Sequence, residues 1–343
     1  MKVTRIAAWQ PECKGSPNDW RTTLGQILVE VELDNGICGL GVGGGGKAGI
    51  HLVDTVIKEC MLNVHVDTPA EAHETMVSHT TFYGRKGLVP MAISGVDLAI
   101  WDAWAKSSHS SVYELLTDKP APLHLPMYQT VFDDEEAMEA VSNGKQAVKL
   151  HVERFGDRPD PQAIRELVRM TRDRLGPDKS IMVDAFGKWN VNTTLKVADS
   201  IVEFNVDWIE EPVGPDRLND YISLTEKCPI PIAAGEHEYL REGFLELARS
   251  KAVSVFQPDI NWCGGLTTLI DIYQIAREHE IRVVPHRGSE PYCLTAIAAL
   301  DDNPLAESAR TWFTCIEGIA EYSSEGVKFN LLPGFGVRVI GNR

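Results

Sequence analysis

From about residue 125 onward the sequence repeats one unit: a short apolar run that reads as a strand, then a segment with apolar residues three and four apart that reads as a helix. "QAVKLHV" precedes "PQAIRELVRMTRDRLG", "SIMVDAF" precedes "TTLKVADSIVEFN", and "VDWIEEP" precedes "LNDYISLTEKC"; "IPIAAGE", "VSVFQPD" and "IRVVPH" continue the series. Each run closes on or near a polar residue: Lys149, Asp184, Glu210, Glu236, Asp259 and His286. Their intervals are 35, 26, 26, 23 and 27 residues, the length of one strand, one helix and two connections. Glu307 follows 21 residues later, near "PLAES", where an eighth strand completes a ring whose first strand is "LHLPMYQT". A doubly wound sheet also uses βα units, but an acid or base at nearly every strand end is what the catalytic rim of a barrel requires. The predicted fold class is therefore α/β, a (β/α)8-type barrel over residues 121–315.

The residues before it read differently. "GQILVEVEL" and "ICGLGVG" flank Asp34-Asn35-Gly36, a hairpin signal, and "TPAEAHETMVSHTTFYG" and "PMAISGVDLAIWDAWAKSS" have helical spacing. This predicts an α+β capping domain over residues 1–120 that covers the substrate. The tail, residues 316–343 with "FNLLPGFGVRVIGNR", is expected to pack back on it. A chain of 343 residues exceeds the size at which one core usually divides, in keeping with two domains.

"GLGVGGGGKAG" superficially matches two phosphate loops. A P-loop needs Ser or Thr after Lys47, where this chain has Ala48, and a dinucleotide loop needs a following βαβ unit, where this chain has helices. Nucleotide binding is not expected, and the run reads instead as a mobile glycine loop, a candidate lid.

A formal net charge of -16 disfavours nucleic acid and anionic membrane as partners and points to a small molecule. No uninterrupted apolar run reaches the length of a membrane span, and "MKVTRIAAWQPECKG" has too short an apolar stretch for a signal peptide, so a cytoplasmic location is expected. Seven cysteines without any C-x-x-C pair argue against a disulfide framework or a cysteine-zinc site.

Asp184, Glu210 and Glu236 end three successive predicted strands. On neighbouring barrel strands such carboxylates lie about 5 Å apart and repel unless a cation holds them. Oxygen ligands alone select a hard ion, Mg²⁺ before zinc. Taken singly, each acid also reads as a helix cap or a solvated rim residue. Lys149 and His151, two apart on the second strand, share a face, and Asp259 and His286 end adjacent strands as an oriented acid–base dyad. A divalent cation facing a base suits removal of a proton α to a carboxylate, because the charge of the enediolate needs stabilising as it forms.

"MVDAF", "WIEEP", "GEH", "QPDINWCGGLTTL", "VVPH" and "ISGVDLAIWD" together resemble the enolase superfamily, its mandelate racemase subgroup, and especially the L-rhamnonate dehydratase-like acid-sugar dehydratases. The likeness runs from "ILVEVELDNG" to "PGFGV". It implies Asp184, Glu210 and Glu236 as ligands of one Mg²⁺ per active site, with Glu211 behind them. It implies His286 with Asp259 as general base and then general acid. The reaction so implied takes an aldonate to a 2-keto-3-deoxy acid by loss of water. The resemblance also implies substrate contacts from His237, from Arg21 in "DWRTTLG" and from Glu307 on the eighth strand, with Lys149 near the substrate carboxylate. It implies a homo-oligomer, since dimers and octamers are common in the family. Two features depart from the pattern. Lys149-Leu150-His151 replaces the subgroup's Lys-x-Lys, so that a second acid–base at His151, and with it racemisation or epimerisation, stays open. The N-terminal segment is also shorter than in rhamnonate dehydratases and lacks a substrate-contacting His found there. Glu238 has no assigned role.

Overall fold

The computed structural model describes residues 1–10, 25–308, 316–318, 321–323 and 325–339; Arg21 lies outside them. Strands Val3–Trp9, Ile27–Leu33 and Cys38–Gly43 form an antiparallel sheet in chain order. Asp34-Asn35-Gly36 makes the turn between the second and third: Gly36 has φ 79° and returns a hydrogen bond to the Leu33 carbonyl at 2.9 Å. The sheet packs on the 20-residue helix Leu88–Ser107, enclosing Val29, Val31, Ile93, Val96 and Ile100. Each such fully buried aliphatic side chain contributes about 1.5–3 kcal/mol. By length and composition this helix could cross a membrane, yet 78% of its most apolar window is buried in the core.

The glycine run is packing, not a mobile lid. Gly39, Gly41 and Gly43 alternate on one face of the third strand, pressed against the helix. A Cβ on Gly41 would stand 2.0 Å from the Gly95 carbonyl oxygen, and one on Gly39 the same distance from the Ala99 carbonyl oxygen. From Gly46 the run enters a helix, Gly46–Leu52, and Gly44 lies against Trp262 of the barrel.

Eight parallel strands follow in the expected order: Met127–Val131, Ala147–His151, Ser180–Asp184, Ile209–Glu210, Ile232–Ala234, Val255–Phe256, Arg282–Val283 and Ala306–Glu307, the last pairing with the first. Helices with buried apolar faces separate them; Pro161–Leu175 buries Ile164, Leu167, Val168 and Thr171, starts at a capping Asp160 and has Pro161 at its first position. Tyr128, Ala147, Met182, Trp208, Ala233, Val255, Val284 and Leu305, one from each strand or its edge, fill the interior as a plug, so the barrel is a core with a mouth rather than a pore. The seventh and eighth strands do not pair with one another in the described residues. The gap is crossed instead by Ser289 N–H to the Glu307 carbonyl and Arg287 N–H to Glu307 Oε2, both 2.8 Å.

The two domains interlock through the helix Leu88–Ser107. Its Ser94 hydroxyl accepts from Gly264 N–H at 2.9 Å, and its Asp97 accepts from Thr267 N–H at 3.1 Å and the Thr267 hydroxyl at 2.6 Å, at the start of barrel helix Gly265–Glu278. From the tail, Phe335 N–H donates to Asp102 Oδ1 at 2.9 Å, and Gly334 exchanges backbone bonds with Ser110 and Val112.

Candidate active site

The residues singled out along the barrel strands gather at one mouth by different routes, Lys149 from mid-strand, two residues before the end of Ala147–His151. Asp184, Glu210 and Glu307 are the last residues of their strands, and Asp184 pairs in register with Glu210. Glu236, Asp259 and His286 stand two or three residues past theirs. Gly235, at φ 134°, makes the bend that carries Glu236 in; a Cβ there would meet Gln257 N and Phe244 at 3.0 Å. Strain concentrates here. Phe186, Glu211 and Arg287, each one or two residues beyond a strand-end acid or base, have φ of 51°, 35° and 53°, a conformation that costs a side-chain-bearing residue about 1–3 kcal/mol.

Lys149 is the hub of the buried acids. Its ammonium lies 2.7 Å from Glu210 Oε1, 2.9 Å from Glu307 Oε1 and 3.4 Å from Asp184 Oδ2. One cation does not neutralise the cluster. Burial pushes the Asp184 carboxyl up to about 6 and Glu210 up to about 7 against the pull of Lys149, and raises Glu236 as well. Glu307 goes the other way: burial opposes its charge, but Lys149, His286 and a 2.6 Å hydrogen bond from Thr130 hold it down at about 2. Glu210 also receives the amide of Gln257 and, at 3.4 Å, the Trp208 indole.

The dyad is formed. His286 Nδ1 lies 2.9 Å from Asp259 Oδ2, and its Nε2 lies 3.3 Å from Glu236 Oε2. His237 Nδ1 sits 2.9 Å from Glu211 Oε2 and 3.3 Å from Glu236 Oε1. Burial disfavours its charge, but the Glu211 hydrogen bond together with the nearby charges of Glu236 and Glu211 more than offsets this and lifts the imidazole to about 9, favouring the protonated, donating form. His151 is half-buried between the rings of Phe132 and Phe186 at 5.3 and 5.6 Å, and burial, with Lys149 nearby, lowers its pKa. Phe186, His237, Trp262 and His286 continue this line of rings in steps of 6.3, 5.9 and 5.8 Å.

Asp184, Glu210 and Glu236 offer buried oxygen donors of the type a hard divalent cation takes, with Lys149 lying against the first two in this arrangement. The donor atoms that gather within 4.8 Å of one another among the described residues are instead those of Glu211, Glu236 and His237. In this set His237 Nδ1 is already engaged by Glu211 at 2.9 Å, and an imidazole nitrogen suits a hard cation less well than oxygen does.

Residues the sequence did not single out complete the site. Gln257 holds Glu210, Arg287 pairs with Asp259, and Trp262 lies between His237 and His286. Their types carry no signal alone; only their places within "QPDINW" and "PHRG", beside residues already chosen, could have marked them. Glu238 acquires a partner: buried, it takes Lys86 of the N-terminal domain at 3.0 Å and Tyr239 N–H at 2.9 Å.

Residues 133–341 match the family model described as enolase C-terminal domain-like, and residues 20–117 match that of the mandelate racemase / muconate lactonizing enzyme N-terminal domain. The chain belongs to the enolase superfamily. Among curated superfamily proteins, an L-rhamnonate dehydratase from Saccharopolyspora erythraea is 32% identical over 328 residues, covering 92% of this chain and 83% of that one. Among solved superfamily structures, the 3,6-anhydro-D-galactonate cycloisomerase from Zobellia galactanivorans superposes with a TM-score of 0.86 at 26% identity, covering 99% of this chain and 97% of that one. Rhamnonate dehydratase from Gibberella zeae complexed with Mg superposes at 0.83 with 26% identity, covering 99% and 94%. The fold expected from the βα repeat is thus that of the superfamily, a barrel with an N-terminal α+β domain.

Proposed function

We propose that this chain is a Mg²⁺-dependent hydro-lyase that converts an aldonate, rhamnonate-like in class, to a 2-keto-3-deoxy acid. The observation that carries the reading is His286, tied to Asp259 through Nδ1 and presenting Nε2 to Glu236 at the barrel mouth. The curated relative named for L-rhamnonate dehydration supports the substrate class. Asp184, Glu210 and Glu236 would hold the cation, which when bound offsets negative charge developing on the substrate carboxylate.

The side chains do the rest. Asp259 keeps the Nδ1 proton on the imidazole, leaving Nε2 to accept the proton at C2. The same Nε2 returns that proton to the departing C3 hydroxyl, so one base serves a syn elimination, and the enol tautomerises to the ketone. Protonated His237 donates to a substrate oxygen, and Lys149 lends its charge to the carboxylate end. A screen of aldonates and aldarates with Mg²⁺ tests this: a 2-keto-3-deoxy product is expected with wild type and lost in His286→Asn.

One observation favours a second reading, an epimerase or racemase: half-buried His151 at the far end of the ring series from His286. Exchange of the C2 hydrogen in D₂O without dehydration, abolished by His151→Ala, would replace the dehydratase with this alternative.

A further inference from the structure

We infer that Arg287 is a positioning residue that locks Asp259 in place and so fixes the orientation of the His286 imidazole. The inference takes its kinetic readout, though not its geometry, from the dehydratase reading.

Arg287 follows His286 in the chain, with only 4% of its surface exposed, and its backbone turns into the left-handed region at φ 53°. Its guanidinium Nη2 donates to Asp259 Oδ2, the same oxygen that faces His286 Nδ1 at 2.9 Å. The other carboxylate oxygen, Oδ1, accepts from Asn261 N–H at 2.9 Å. The carboxylate is therefore held on both oxygens, and it cannot rotate away from the imidazole without breaking the guanidinium bond. A charged donor on Oδ2 also favours the ionised carboxylate, which keeps the proton on Nδ1. Nε2 is then fixed as the basic nitrogen facing the mouth.

The same guanidinium lies 4.9 Å from the Trp262 ring centre, and that ring neighbours both His286 and His237 at 5.8 and 5.9 Å. One side chain thus braces the dyad and the wall beside it. A purely stabilising role fits poorly. Arg287 Nε and Nη1 are buried with no hydrogen-bond partner among the described residues, and a buried ion pair left partly unsatisfied is a weak source of stability. A left-handed arginine whose guanidinium is satisfied at one nitrogen makes sense where direction matters more than energy.

The test compares wild type with Arg287→Met and Arg287→Lys, all in the presence of Mg²⁺. The Nδ1 proton of His286, hydrogen-bonded to a carboxylate, gives a far-downfield proton resonance, assigned by its loss in His286→Asn. The expected result for Arg287→Met is that this signal broadens or moves upfield. Its kcat on the sugar acid that wild type dehydrates falls about 10–100-fold, with KM within about threefold, as for residues that orient catalytic ligands. Millimolar methylguanidinium restores part of the loss, and Arg287→Lys is intermediate. An Arg287→Met protein with an unmoved resonance and kcat within about threefold of wild type overturns the inference. If Arg287→Met does not fold, Arg287→Lys decides by the same resonance and kcat. If wild type dehydrates no sugar acid, the functional reading falls, and the resonance still decides the role of Arg287.

Discussion

Lys149 Nζ lies 2.7 Å from Glu210 Oε1 with both side chains almost wholly buried, which makes the lysine the cation on which this acid cluster depends when no metal is bound. Removing one partner of a buried pair leaves the other charge uncompensated, at about 3–5 kcal/mol. Lys149→Met is therefore expected to lose that much in urea denaturation in Mg²⁺-free buffer. Added Mg²⁺ should raise its melting temperature more than that of wild type, since the cation then replaces the missing charge. Equal stability of the two proteins without Mg²⁺ would mean the acids are protonated and need no cation.

The ligand set can be read from stability without any substrate. A ligand that binds only the folded state stabilises it by about 2.7 kcal/mol at a hundredfold excess over Kd. Wild type should show a rise in melting temperature with Mg²⁺. Asp184→Asn, Glu210→Gln and Glu236→Gln should each abolish it, while Glu211→Gln should keep it. A rise lost in Glu211→Gln but retained in Asp184→Asn would move the metal to Glu211, Glu236 and His237.

The His237–Glu211 pair gives a pH signature. Burial opposes the imidazolium, but the Glu211 bond and the charges of Glu236 and Glu211 together prevail and raise the folded pKa to about 9, above the ordinary value near 6.5. A raised pKa in the folded state means the pair's contribution is fully present below pH ~6.5 and is lost as pH rises through ~9. Because the His237 side chain is 32% exposed, the slope should be shallow. Urea midpoints in Mg²⁺-free buffer should fall across this window for wild type, and the fall should shrink in both His237→Gln and Glu211→Gln. A midpoint that rises with pH there would place His237 neutral at pH 7.

How much of this was legible follows from what each residue obeys. The barrel and its acids were readable because period and strand-end position are sequence properties: Asp184, Glu210 and Glu307 sit where a strand stops. Glu236, Asp259 and His286 were found by the same spacing although they lie in the turns beyond, because the intervals are nearly constant. Arg287, Gln257 and Trp262 were not legible, since each owes its place to a partner more than twenty positions away in the chain. Glu238 was opaque for a similar reason, its partner Lys86 lying 152 positions away. The glycine run was misread because a glycine that admits a helix and one that frees a loop look alike in one dimension.

That distinction can be measured. Gly41→Ala would place a Cβ 2.0 Å from the Gly95 carbonyl oxygen and 2.6 Å from Ala99 N, both backbone atoms of a packed helix. Overpacking of this kind costs about 1–3 kcal/mol or more, and with no flexible side chain to yield the upper end is expected. Gly36→Ala, whose Cβ meets nothing within 4 Å, should lose only the smaller cost of an alanine at φ 79°. Chemical denaturation of the two variants gives the comparison. Equal losses would show that the run behaves as a loop.

Asp97 tests whether the N-terminal domain organises the barrel mouth. Helix Gly265–Glu278 begins after Gly264, which has no side chain to cap it, so its first N–H groups rely on Asp97 from the other domain. Asp97→Ala would remove the acceptor of both the Thr267 N–H and its hydroxyl, which keeps only the bond it accepts from the Trp101 indole, in a part-buried setting, at about 1–3 kcal/mol. The lost anchor lies five residues along the chain from Trp262, which stands beside His286 and His237. Beyond the loss of stability, Asp97→Ala should therefore weaken substrate binding, raising KM more than it lowers kcat. Asp97→Asn, which still offers one carbonyl oxygen to the helix start, should recover most of both. A variant that loses stability but keeps the wild-type KM would confine Asp97 to holding the domains together.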